Sequence, residues 1–356
     1  MKRIAVKIGS NVLTRDDGTL DVTRMSALVD QVAVLRREGI QVVLISSGAV
    51  ASGRSELAIN HHMDSVDQRQ LFSAIGQAKL INRYYELFRD HHITVGQVLT
   101  MKENFSTRRH YLNQRNCMEV MLENGVIPIV NENDTVSVTE LMFTDNDELS
   151  GLIATMLDVD VLIILSNIDG IYDGDPKDAK SQVVRSVEPD SDLKDYIQTG
   201  KSGFGRGGMI TKCNIARKVA DEGIPVIIAN GKRDNILIKL IQEPDTTLCT
   251  RFVPAKQPVS SIKKWIAHSG DFAKGSITLN DKAVEAICGS NALSVLPIGV
   301  TAVEGEFEKD DIISIKNPEG QEIGVGRTSY DSAEARKVIG HHSKKPLIHY
   351  DYLYIK

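Results

Sequence analysis

The feature that most constrains this chain is an alternation. Over the first 250 residues, short apolar runs rich in β-branched residues take turns with longer amphipathic stretches. The short runs are Arg3–Ile8, Gln41–Ser46, Thr94–Leu99, Val126–Val130, Val161–Leu165 and Pro225–Ala229. Between the first two, Val22–Glu38 sets Met25, Leu28, Val29, Val32 and Leu35 at spacings of three and four, one face of a helix. Asp67–Asp90, Thr107–Glu123, Glu148–Leu157 and Met209–Glu222 read the same way. Strand and helix in alternation predict an α/β domain, a mostly parallel sheet sandwiched between helices. Several of the strands are apolar throughout, as expected where both sheet faces are covered.

The rhythm changes near Pro254. Residues 254–263 read as a linker, with two prolines and two serines in its first eight positions. This divides the 356 residues into a first domain, 1–253, and a small β-rich unit, 264–356. In the second unit Ala292–Gly299, Val300–Gly305, Asp311–Asn317 and Glu322–Ser329 are predicted strands. Asn280–Cys288 and Ser332–Ile339 are predicted helices, and Asn317-Pro318-Glu319-Gly320 a hairpin turn.

Charge and composition exclude several classes. Residues 254–356 hold 13 basic and 13 acidic side chains, so the net charge of −5 belongs to the first 253. Neither part is basic, which argues against nucleic acid as the main partner. No apolar run reaches the roughly 18 residues of a membrane span. Met1–Lys7 lacks the apolar core of a secretory signal, so a cytoplasmic setting is expected. Cys117, Cys213, Cys249 and Cys288 form no Cys-x-x-Cys pair and are expected to be reduced, buried or half-buried thiols. The pairs His61-His62, His91-His92 and His341-His342 are expected at the surface, since adjacent side chains point apart.

In open α/β sheets, ligands bind beyond the carboxyl ends of the strands. Lys7 lies near the end of the first run, before Gly9-Ser10: a cation aimed at an anion, or a lysine on a strand edge. Ser46-Ser47-Gly48-Ala49 allows close backbone approach, and a helix starting near Gly48 would offer free N–H groups to a carboxylate or phosphate. A plain tight turn would need the same small residues. Asn131-Glu132-Asn133-Asp134 supplies donors and carboxylates for a ligand carrying both an ammonium and a carboxylate. Thr144-Asp145-Asn146-Asp147 opens a helix and holds more acid than capping needs, which suits Mg²⁺ near a polyphosphate. Gly203, Gly205, Gly207 and Gly208 precede the helix that starts at Met209, a phosphate cradle of backbone amides. Lys212 in its first turn opposes the helix dipole by about 0.3–1 kcal/mol, which suggests an anion in front of it. Other nucleotide motifs fail. Gly200-Lys201-Ser202 mimics the end of a P-loop, but position 195 is Asp. The protein-kinase motifs and Gly-x-Gly-x-x-Gly after the first strand are missing.

Taken in order, Val6-Lys-Ile-Gly-Ser10, Ser46-Ser-Gly-Ala-Val50, Asn131-Glu-Asn-Asp134, Asp145-Asn-Asp147 and Gly207-Gly-Met-x-Thr-Lys212 resemble the amino acid kinase family, in particular members acting on glutamate. The stretch from about Gly275 to Gly340 resembles a PUA domain, a small β-barrel-like module also found in RNA-modifying enzymes. The resemblance implies ATP-dependent phosphorylation of the γ-carboxylate of L-glutamate to γ-glutamyl phosphate, the first step of proline biosynthesis. It implies that Ser47, Gly48, Asn131, Asp134 and Asn146 contact glutamate. Lys7, Ser166, Asn167, Arg206, Gly207, Gly208, Met209, Ile210, Thr211 and Lys212 would contact ATP. Lys7 and Lys212 would stabilise the transferred group, Asp147 would orient both, and Asp145 would serve Mg²⁺, directly or through water. The family commonly has Thr-Asp where this chain has Ser166-Asn167, which keeps the hydroxyl and loses a carboxylate. Proline as feedback inhibitor, a γ-glutamyl phosphate reductase downstream and a homo-oligomer, dimer or tetramer, are further expectations. The alternatives are a sister kinase acting on N-acetylglutamate, aspartate, carbamate or UMP, or an RNA-binding protein working through the tail.

Overall fold

Strand β1 (Arg3–Ile8) is the pivot of the larger sheet. It pairs in parallel with β2 (Gln41–Ser46) on one side and with β5 (Val161–Ser166) on the other. The sheet grows outward through β4 (Ile127–Glu132) to β3 (Val95–Thr100) at one edge. On the other side come β7 (Val226–Asn230), β8 (Thr250–Phe252) and the short β6 (Ser186–Val187). All pairs are parallel except β7 with β8. The direction in which the sheet grows reverses at β1, so a crevice is expected beyond the end of β1. The computed structural model describes all residues except 58–62, 106–107, 138–145, 177, 179, 190, 192–205, 256–265, 267–272, 290–292, 344 and 356.

The two faces of β1 have different fates because side chains alternate along a strand. Ile4, Val6 and Ile8 join a core with Met25, Leu28, Val32 and Leu35 of the helix Val22–Arg37 and Leu80, Tyr84 and Phe88 of the helix Ser65–Arg89. Ala5 and Lys7 alternate with them, on the face covered by the helix Asn146–Met156. That helix packs against Arg206–Asp221. A β-carbon on Gly151 would lie 3.0 Å from Ile215 Cγ2 and 3.1 Å from Val219 Cγ2, so glycine is what lets the two helices close up.

The second unit comprises Glu103–Gln114 and Val259–Lys356. Its sheet runs in the order β10 (Val300–Gly305), β9 (Gly275–Leu279), β11 (Ile312–Lys316), β12 (Glu322–Thr328), β13 (Ile348–Ile355). Its separate core includes Ile277, Phe307, Ile313, Ile315 and Leu347.

Several expectations need correction. Among the described residues of Ala292–Gly299 there is no strand: Val295 makes one bridge to Ile348, and Pro297–Gly299 is a turn of 3₁₀ helix, as the fixed φ of proline favours. Strands β6, β8, β9 and β13 were not anticipated. The helix expected from Glu148 starts at Asn146, and the one expected from Met209 starts at Arg206, which puts Lys212 beyond the first turn. Cys117 and Cys288 are exposed; Cys213 and Cys249 are buried. Among the described residues, no helix is long and apolar enough to cross a membrane.

Candidate active site

Three charged groups meet above the sheet. Lys7 Nζ lies 2.5 Å from Asp147 Oδ1, and Lys212 Nζ lies 2.8 Å from Asp147 Oδ2. The carboxylate is fully buried and Lys7 nearly so, while Lys212 keeps 16% of its side chain exposed. Burial alone would raise the Asp147 pKa; the two ammonium groups outweigh it and hold the carboxyl below its ordinary value. Asp147 therefore stays ionised at neutral pH and fixes both lysines, with Lys212 at the solvent side. Gly9 keeps this cluster open: its N–H donates to the carbonyl of Leu165 (3.1 Å), and a β-carbon there would stand 3.6 Å from Lys7 Nζ.

Asn146, next in the chain to Asp147, points elsewhere. Its Nδ2 donates to Ser47 Oγ at 2.9 Å and to Asn131 Oδ1 at 2.9 Å. Ser47 Oγ, accepting from Asn146, is left to donate its own proton to a ligand. Ser47 is followed by Gly48, whose φ of +109° is a conformation only glycine adopts without strain. Below them Tyr84 OH and Ser46 Oγ pair at 2.8 Å inside the core. The first two residues of one helix thus tie two subsites together, a cationic one through Asp147 and a neutral amide and hydroxyl one through Asn146.

The segment after β4 is gripped from the helix Ser65–Arg89. Arg69 Nε donates to Asp134 Oδ1 (2.8 Å), Arg69 Nη2 to the same oxygen (2.5 Å) and to Glu132 Oε2 (3.1 Å). Ser73 Oγ donates to Asp134 Oδ2 (3.3 Å), and Gln77 Nε2 to the Glu132 carbonyl (3.1 Å). Sequence reasoning missed these three residues. Their signal is a polar stripe at intervals of four, Arg69, Ser73 and Gln77, on a helix that is otherwise apolar on its buried side.

On the other flank, Ser166 ends β5 opposite Asn230 at the end of β7, and Ser166 Oγ lies 3.4 Å from Asn167 Oδ1. Nearby, Asp169 accepts from Arg233 and from Asn230 Nδ2 (3.1 Å), and the Arg233 hydrogen bonds hold its carboxyl below the usual range. Sequence reasoning had passed over that pair too. Arg206, Gly207 and Gly208 form the first turn of their helix, followed by half-buried Met209, exposed Ile210 and half-buried Thr211. Asp145 and the glycines at 203 and 205 lie outside the described residues, as do His61 and His62. His341 and His342 are exposed, and His91 Nε2 lies 2.8 Å from Asp30. Among the described residues, no three His, Cys, Asp or Glu side chains gather as a metal cage.

The family model described as "Amino acid kinase family" matches residues 2–230, and that described as "PUA domain" matches residues 275–350. Among curated relatives, "Glutamate 5-kinase" of Bacteroides thetaiotaomicron is 70% identical over 354 residues, covering 99% of this chain and 98% of that protein. "Glutamate 5-kinase" of Chlorobaculum tepidum is 45% identical over 356 residues, covering 99% and 97%. Of solved structures, the carbamate kinase of Giardia lamblia bound to AMP-PNP superposes with a TM-score of 0.52 at 14% identity. It covers 71% of this chain and 99% of its own, and so shares the fold.

Proposed function

The chain belongs to the amino acid kinase family, and on that premise we propose that it transfers the terminal phosphoryl group of ATP to the side-chain carboxylate of L-glutamate, the glutamate 5-kinase reaction of proline biosynthesis. The observation that carries this reading is the pair of lysines held at 2.5 and 2.8 Å by the two oxygens of Asp147. Both reactants are anions, so the chemistry asks mainly for positioning and charge stabilisation. A carboxylate oxygen attacks the γ-phosphorus, the bond to the bridging oxygen of the β-phosphate breaks, and ADP leaves. No proton is transferred, so no general base is required, and Asp147 holds lysines without taking a proton. Lys7 and Lys212 stabilise the charge on the group in flight. Ser47, Gly48, Asn131 and Asn146 hold the acceptor's carboxylate end, and Asp134 receives its ammonium. Ser166, Asn167 and the start of the Arg206–Asp221 helix face the nucleotide.

Mg²⁺ carried on the phosphates of ATP would supply charge neutralisation in this reading. Both oxygens of Asp147 are engaged by lysines, and a nucleotide-borne magnesium keeps several waters and needs little from the protein. Competitive inhibition by proline, a dimeric or tetrameric state, a downstream γ-glutamyl phosphate reductase and a cytoplasmic setting go with the same reading. The sister substrates N-acetylglutamate, aspartate, carbamate and UMP, and an RNA-binding role, are not favoured, because full-length relatives at 70% and 45% identity are named for glutamate. The test is ATP turnover with glutamate and hydroxylamine trapping of the acyl phosphate, with and without proline. Hydroxamate formed only with glutamate is the expected result; turnover with a sister substrate alone would overturn it.

A further inference from the structure

The helix Ser65–Arg89 carries the strongest unassigned feature. Arg69, Ser73 and Gln77 stand on one stripe of it and bond to the end of β4 and the turn after it. Asp134 sits in a turn, and among the described residues its carboxylate is held by side chains. The fixing comes from Arg69, whose Nε and Nη2 both reach Oδ1 while Nη2 also reaches Glu132. A guanidinium is planar and rigid, so its two N–H groups hold Oδ1 in a defined direction, and with Ser73 on Oδ2 the carboxylate's rotation is set. Among the described residues Oδ2 meets the longer 3.3 Å bond from Ser73, which leaves it lone-pair capacity for another N–H.

We propose that Arg69 is a positioning residue for the acceptor substrate, its guanidinium aiming the Asp134 carboxylate so that Oδ2 receives the substrate's α-ammonium. The proposal rests on the reading of Asp134 as a substrate contact. It makes Arg69 a determinant of specificity for amino acids over plain dicarboxylates, acting through Asp134. Glutarate, which is glutamate without the ammonium, separates this role from a direct contact: an arginine touching a substrate carboxylate would serve both molecules alike.

The test compares the parent enzyme with Arg69→Gln, Arg69→Lys and Asp134→Asn. The readouts are kcat, KM for glutamate, KM for ATP and the competitive inhibition constant of glutarate. Arg69→Gln is expected to raise the KM for glutamate about tenfold or more, with kcat and the KM for ATP near the parent's, the pattern of lost ground-state binding. The preference for glutamate over glutarate should fall by a similar factor. Arg69→Lys restores charge without the fork and should lie between the two. A glutamate KM in Arg69→Gln within about twofold of the parent's, or glutarate weakening in step with glutamate, overturns the proposal. If Arg69→Gln does not fold, Arg69→Lys decides it: parental KM and preference there reject the fork. Asp134→Asn keeps the two readings apart. A normal KM in that variant rejects Asp134 as a contact; a raised KM beside an unchanged Arg69→Gln rejects only the role of Arg69.

Discussion

The Asp147–lysine cluster has two duties, stability and charge stabilisation in the reaction, and they can be separated. Its ion pairs are buried, so removing the charge takes away the carboxylate that both ammonium groups share, at a cost of about 3–5 kcal/mol. Its carboxyl titrates below the ordinary value of 3.8 in the fold and at that value when unfolded. The stabilisation is therefore fully present above pH 3.8 and is lost as the pH falls through the lower, folded value. Thermal melts of the parent and Asp147→Asn should differ by a constant amount from neutral pH down to about pH 5 and converge below the unfolded value. A gap that closes near neutrality would contradict the depressed titration. Lys212 carries the other duty. Lys212→Ala should lower kcat at least about a hundredfold, about 2.7 kcal/mol of transition-state stabilisation. Near-normal turnover would remove it from the mechanism. Lys7 and Lys212 were both legible as candidates in the sequence, because each departs from its local pattern: a lysine in a buried strand and a lysine after a run of glycines. Their meeting on Asp147 was not legible, since it depends on contacts between residues 140 and 65 positions apart.

At the scale of elements, two close helix contacts set the two halves of the site. Gly76 of the helix Ser65–Arg89 lies against the helix Ala49–Arg54: a β-carbon there would come within 1.8 Å of the Ala49 carbonyl oxygen. Gly76→Ala must push back the short helix that begins beside Gly48. Overpacking of this kind costs about 1–3 kcal/mol, and we expect a raised KM for glutamate with kcat less affected. Gly151 sits at the other contact, one turn after Asp147, against Ile215 and Val219. Gly151→Val should wedge Asn146–Met156 away from Arg206–Asp221 and draw Lys212 off Asp147; because Asn146 rides on the same helix, the KM for glutamate should rise too, but by a smaller factor than kcat falls. Steady-state kinetics on both variants checks the assignment; interchanged effects would reject it. The sequence reading predicts the three longer helices from apolar spacing but places their starts two or three residues late. Asn146 and Arg206 are polar starts with no periodic apolar residue to mark them. The short strands β6 and β8 were missed because two or three residues hold no period to read.

On the scale of the whole molecule, no proposed site residue belongs to the second unit. Every proposed site residue lies between Lys7 and Lys212, and the larger core runs from Ile4 to Cys249. The second core lies between Ile277 and Leu353. A chain ending at Val253 keeps all of the first core, so it should retain ATP- and glutamate-dependent hydroxamate formation. The tail would then serve assembly or the response to proline. One consequence separates this from a simple loss of a domain. Residues 103–114 group with the second unit, although they lie between β3 and β4 in the sequence. Truncation removes the rest of the unit they pack in, and a segment stripped of its buried contacts opens first. Limited proteolysis of the shortened chain should therefore cut between 103 and 114 sooner than in the full-length protein, while turnover persists. A shortened chain that melts cooperatively yet fails to phosphorylate glutamate would make the tail part of catalysis. Equal protection at 103–114 in both chains would mean that the segment is held by the first domain alone.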